Sequence, residues 1–228
     1  MAASRRTRRG LCISLILLSI AGAVRGQSTS SQRKDTQVWN DTQLAIALNK
    51  KVDFVLFGTL RIGRNIHRPV DERIGVGFSF KVGKYLTIYP NYFYRGGQPL
   101  PSRRELEHRL SFAATIRGPI GHGFILSDRN LFERRIRHPQ VDATRYRNRL
   151  QIEHPFKIGA TRLNGFISDE IFYDWSVNAW VRNRFAIGVG HTFNQHFTGE
   201  VYYLRQSDGR TKPGDLNVFG TTLRLRLK

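Results

Sequence analysis

The chain has 228 residues and carries 37 Lys+Arg against 17 Asp+Glu, a formal net charge of +20, with a single cysteine. That length suits one domain, and one cysteine excludes an internal disulfide framework or a thiolate-rich metal site. In a cytoplasmic chain so basic a balance would point to nucleic acid, a partner that the N-terminal segment argues against.

Residues 1–26 read as a signal peptide. Arg5, Arg6, Arg8 and Arg9 form a basic head, Leu11 to Ala23 a 13-residue apolar stretch, and small residues follow, with cleavage expected near Ala23 or Gly26. This order of charge, short apolar core and small residues is the export signature. A membrane-spanning helix needs about 20 apolar residues, so this stretch is too short to be one. The sole cysteine, Cys12, leaves with the signal, and so do five arginines. The mature part then holds 32 Lys+Arg against 17 Asp+Glu, a net charge of +15. After export the anionic partners open to it are outer-membrane lipid headgroups and lipopolysaccharide phosphates, reached with the help of the export and barrel-assembly machinery. No nucleic-acid partner is expected.

Residues 27–37 are polar and Ser/Gln-rich, a flexible leader. From residue 38 to 228 the pattern has period 2, the strand signature, and no stretch has the 3.6-residue period of an amphipathic helix. The segments fall at 42–49, 52–62, 73–82, 85–95, 103–114, 122–137, 145–154, 163–173, 184–191, 197–206 and 218–228. In 73–82, Ile74, Val76, Phe78, Phe80 and Val82 alternate with Arg73, Gly75, Gly77, Ser79 and Lys81. In 218–228, Phe219, Thr221, Leu223, Leu225 and Leu227 alternate with Gly220, Thr222, Arg224, Arg226 and Lys228. Most segments have 10 or more residues. Soluble strands average about 5–6, and transmembrane strands need about 9–11.

The expected fold is therefore all-β, an antiparallel up-and-down transmembrane barrel of 10–12 strands. Short turns alternate with longer polar connections such as Arg64–Asp71, Gly96–Ser102 and Ser207–Gly214, the outer-membrane pattern of two unlike rims. Eleven segments conflict with the even count of bacterial single-chain barrels. Either a strand near 30–40 is unread or the first segment lies outside the wall. Pro90, inside a segment, should mark a bulge.

In such a barrel the apolar faces meet lipid and the polar faces the lumen. The inward positions then carry both signs. Glu105, Glu107, Glu133, Glu153, Glu170 and Glu200 stand with Arg109, Arg129, Arg135, Arg147, Arg149, Arg182, Arg184, Arg224 and Arg226. Arginine suits such a site because its planar fork binds carboxylates bidentately. Cross-strand ion pairs are expected, each carboxylate meeting an Arg of a neighbouring strand. Trp39, Tyr85, Tyr89, Tyr92, Tyr94, Trp175, Trp180, Tyr202 and Tyr203 are placed among interfacial positions, which Trp and Tyr favour.

No recognisable catalytic motif occurs. Gly75-Val76-Gly77, Gly121-His122-Gly123 and Gly188-Val189-Gly190 stop short of a dinucleotide fingerprint, and neither a zinc-protease nor a nucleophile-elbow motif is present. His122 with Ser127, or His154 with Ser168, can be imagined as hydrolase pairs, and their spacing places neither pair together. No cofactor or metal site is expected.

The chain resembles a family of bacterial exported proteins of unknown function, domain of unknown function family 2490. The likeness runs from Asp35-Thr36-Gln37-Val38-Trp39 through Arg104-Glu105-Leu106-Glu107-His108-Arg109, Arg129-Asn130-Leu131-Phe132-Glu133-Arg134-Arg135 and Arg145-Tyr146-Arg147-Asn148-Arg149. It continues in Asp169-Glu170-Ile171-Phe172, Arg182-Asn183-Arg184 and Glu200-Val201-Tyr202-Tyr203. The resemblance implies an outer-membrane barrel and carries no activity with it. The ending Leu225-Arg226-Leu227-Lys228 departs from the terminal aromatic common in such barrels. Four roles stay open: a structural or surface-interaction barrel with a largely plugged lumen, a small anion-selective pore, a lipid-modifying outer-membrane enzyme, and a soluble periplasmic β-protein.

Overall fold

The computed structural model describes residues 34–227. The signal peptide and most of the leader lie outside the described residues. Eleven strands follow in chain order: β1 (Lys34–Ala47), β2 (Val52–Gly63), β3 (Arg68–Val82), β4 (Leu86–Leu100), β5 (Arg103–Gly121), β6 (Phe124–His138), β7 (Ala143–Ile158), β8 (Thr161–Asp174), β9 (Ala179–Thr192), β10 (Phe197–Asp208) and β11 (Asp215–Leu227). They close into one barrel, each strand pairing with its sequence neighbours and β11 with β1. The shortest have 12 residues and the longest 19, beyond the roughly 9–11 that a tilted strand needs to cross a bilayer.

The odd count is real. Eleven alternating strands leave the first and last running the same way, so the barrel closes through a parallel pair, from Lys34 opposite Asp215 to Ile46 opposite Leu227. This corrects the expectation of an even, wholly antiparallel wall. The first segment is in the wall and begins earlier than its apolar pattern, so residues 34–37 of the supposed leader are strand. Its inner side is a hydrogen-bonded column. Trp39 Nε1 donates to Gln37 Oε1 at 2.7 Å, and Gln37 Nε2 donates to Asp35 Oδ2 at 2.8 Å.

The expected difference between rims is mostly absent. The connectors 64–67, 101–102, 139–142 and 175–178 are as short as the turns on the opposite rim, and only 209–214 is longer. Strand pairing absorbs the polar residues read as loop. In the first of these connectors Arg64, Asn65 and Ile66 have φ of 54°, 53° and 66°, a left-handed run that costs non-glycine residues energy. Asp35 holds it, accepting from Arg64 N at 3.0 Å and Asn65 N at 2.7 Å. Pro90 makes no bulge. Pairing to β5 runs through Pro90 opposite Phe112, while pairing to β3 is interrupted between Asn91 and Ile88, as expected of a residue with no N–H to give.

Period 2 sets the faces. Ile74, Leu110, Phe112, Ile187, Val201 and Phe219 point outward and are exposed. The polar groups among them bond sideways, Asn148 Nδ2 to Asp128 at 2.6 Å and Asn183 Nδ2 to Asp169 at 2.9 Å. Inside, the inward side chains differ from one part of the wall to another. One side, on β1 and β9–β11, is apolar: Trp39, Ala186, Leu204, Leu216 and Val218 pack together with Tyr202 against them. The other side, on β3–β9, is ionic.

Candidate functional site

Inward residues at every second position stack charges across neighbouring strands. Glu107 on β5 meets Arg109 at 2.5 Å and Arg135 of β6 at 2.8 Å. Glu133 on β6 meets Arg109 of β5 at 2.8 Å, Arg145 of β7 at 2.8 Å and Arg147 of β7 at 3.1 Å. Glu170 on β8 meets Arg129 of β6 at 2.6 Å and Arg147 at 2.8 Å, with Arg184 of β9 at 3.8 Å. Glu107 and Glu133 are only 1% exposed. A charge shielded that far survives through pairing and multiple hydrogen bonds; each of these carboxylates has them.

The belt continues to both rims. Glu105 meets Arg95 and Arg103, both at 2.8 Å, and Asp71 is held by Arg73 at 2.6 Å and by Arg95. Arg182 meets Asp208 at 2.6 Å and Arg224 meets Glu200 at 2.5 Å. Three pairs skip a strand: Glu170 of β8 with Arg129 of β6, Glu153 of β7 with Arg117 of β5 at 2.7 Å, and Arg226 of β11 with Asp53 of β2 at 2.6 Å.

Aromatic rings complete the belt. Phe172, wholly buried, is ringed by Arg147, Arg184 and Arg145 with guanidinium carbons 4.6, 4.8 and 5.1 Å from its centroid. Trp39 lies between Arg61 at 3.8 Å and Arg184 at 4.9 Å, a contact that favours cations over the ring face. Trp39, Arg61, Arg73, Arg147 and Arg184 border two cavities, one of about 430 Å³ toward the turn rim and one of about 460 Å³ toward the connector rim. These five side chains are the layer that the two cavities share, a candidate diaphragm.

Of the charges singled out from the sequence, Glu105, Glu107, Arg109, Glu133, Arg135, Arg147, Glu153, Arg182, Glu200, Arg224 and Arg226 all lie in ion pairs. Arg149 does not. It stands opposite Glu170 in register, yet that carboxylate is engaged by Arg129 and Arg147. Arg184 reaches Glu170 only at 3.8 Å and instead donates to Gln206 Oε1 at 2.8 Å.

Sequence reasoning missed Asp53, Arg61, Asp71, Arg95, Arg117 and Arg145. Each shares the inward parity of its strand, the signal that could have found it. Three aromatics placed at interfaces are inside: Trp39 and Tyr202 in the lumen wall, and Tyr89 on the inward face of β4 beneath Gly77. The outward Tyr146, Tyr173, Trp175 and Trp180 do cluster, near the connector rim. The two conceivable hydrolase pairs are not brought together. His154 is outward against Phe124 at 4.4 Å, whereas Ser168 borders the lumen cavity. His122 sits in the turn after β5, with Ser127 inside.

A family model described as protein of unknown function (DUF2490) matches residues 36–217. No curated protein matches in sequence. Among solved structures, the anion-selective porin from Comamonas acidovorans is similar over 74% of this chain and 56% of that one, at 11% identity and a TM-score of 0.36. The chain thus spans little more than half the length of that porin.

Proposed function

Because the chain belongs to the DUF2490 family of proteins of unknown function, we propose a reading that rests on the barrel itself: an outer-membrane β-barrel with a plugged, positively charged lumen, acting as a structural or surface-interaction protein rather than as an open porin or an enzyme. The observation that carries it is the candidate diaphragm of Trp39, Arg61, Arg73, Arg147 and Arg184 between two luminal cavities, inside a wall whose outward face is apolar. Arg–carboxylate pairs tie that diaphragm to β6 and β8, so opening it would strand charges from their partners. The outward apolar band and the aromatic cluster near the connector rim support a bilayer setting. The N-terminal export pattern supports the outer membrane, and the basic mature chain supports contact with lipopolysaccharide phosphates.

Cell fractionation tests the placement. The protein should pellet with outer membranes and resist carbonate extraction; recovery in the soluble periplasm without detergent would overturn it. A second reading, a small anion-selective pore, is favoured by the arginines that form no ion pair among the described residues, Arg61 and Arg149 in particular. Conductance separates the two.

A further inference from the structure

The turn-rim cavity contains an arrangement that internal pairing leaves incomplete. Arg129 of β6 and Arg149 of β7 are directly opposite in register, and both side chains enter the cavity of about 430 Å³. Like charges directly opposed on neighbouring strands repel. The nearest carboxylate in register, Glu170, is shared between Arg129 at 2.6 Å and Arg147 at 2.8 Å. Arg149 makes no ion pair or side-chain hydrogen bond among the described residues. Across the cavity, Arg61 likewise lacks an ion pair, and the shielded Nε groups of Arg61 and Arg129 have no hydrogen-bond partner among the described residues. Arg224 borders the same space with its single acidic partner, Glu200.

Shielded guanidinium N–H groups left unmade cost free energy, and several converging on one cavity constitute a receptor for an anion. We propose that this cavity binds a small oxyanion carrying at least two negative charges, a phosphate compound or a polycarboxylate, with Arg149 and Arg129 as its principal contacts and Arg61 on the opposite wall. Guanidinium forks suit such a ligand because they grip its oxygens bidentately. A single negative charge would leave one of the two guanidiniums of this cavity that lack an ion pair among the described residues, Arg149 and Arg61, without a counter-charge. The proposal deepens the reading of the interior as a charged, plugged lumen and rests on it. It does not require that ions pass through.

The test uses the purified, refolded full chain in a zwitterionic detergent, titrated calorimetrically with pyrophosphate, with citrate and with formate at low ionic strength. Pyrophosphate or citrate should bind saturably and raise the unfolding temperature, while formate should do neither. Arg149→Gln should weaken binding about tenfold or more, the worth of a lost charge-assisted bond. The same substitution should leave the anion-free protein at least as heat-resistant as wild type, because it removes a repulsion and no pair. Arg205→Gln, on the outward face, should leave anion binding unchanged. Absence of saturable binding by both multivalent anions, or binding that Arg149→Gln does not weaken, would overturn the proposal. Loss of stability in anion-free Arg149→Gln would also overturn it, since Arg149 would then be a structural cation. None of these outcomes bears on membrane placement, which fractionation decides separately.

Discussion

Glu133 of β6 and Arg109 of β5 meet at 2.8 Å with side chains 1% and 3% exposed, a link of the luminal belt as shielded as that between Arg109 and Glu107. The same carboxylate also serves Arg145 and Arg147. Glu133→Ala would therefore leave three guanidinium groups without it. Breaking a buried pair costs about 3–5 kcal/mol, and luminal water should reduce that here. Glu133→Ala should unfold at clearly lower urea concentration than wild type by gel mobility. An unchanged midpoint would mean that the belt is not a source of stability.

The wall makes a complementary prediction. Ile187 is outward and 51% exposed. Ile187→Arg should cost about 2–4 kcal/mol of folding free energy in lipid vesicles if the residue sits near the bilayer midplane. Ile187→Leu should be close to neutral. Equal folding of wild type and Ile187→Arg would place this face away from lipid.

Tyr202 lies between two glycines, opposite Gly188 on β9 and Gly220 on β11. A Cβ at Gly220 would fall 2.0 Å from Tyr202 Cζ. Gly220→Ala should thus destabilise by about 1–3 kcal/mol through overpacking. In a Tyr202→Ala background the same change should cost far less, because contacting residues couple. Additive effects in this double-mutant cycle would refute the contact.

Asp35 is the clamp on a left-handed connector. Asp35→Ala removes both acceptors for Arg64 N and Asn65 N, while φ at 64–66 stays unfavourable for residues with side chains. Trypsin should then cut the folded barrel at Arg64 faster than it cuts wild type. Equal cutting rates would show that the connector holds its shape without the carboxylate.

How much of this was legible in the sequence follows from what period 2 encodes. It encodes face, so Ile74 and Val76 outward and Glu107 and Arg109 inward were readable from parity alone. It does not encode strand ends or partners. Residues 34–37 are polar on both faces of β1, which hid the start of that strand, and nothing local announces that β1 meets β11 in parallel. Ion-pair partners depend on register and barrel curvature together, which is why Arg117 reaches Glu153 across an intervening strand. Trp39 was misplaced because residue type outweighed parity, although it shares its parity with Asp35 and Gln37. Arg149 carried the expectation of a pair, but its carboxylate opposite in register is engaged by stronger-placed arginines, and only coordinates reveal that competition.

Single-channel recording in a planar bilayer tests the central claim, a membrane barrel closed by its own arginine diaphragm, most directly. Wild type should insert yet give no steady open-channel conductance. Arg147→Ala with Trp39→Ala should give stepwise, anion-selective conductance whose selectivity weakens as salt screens the remaining arginines. A steady, large conductance from wild type, or cation selectivity in the opened variant, would contradict the account.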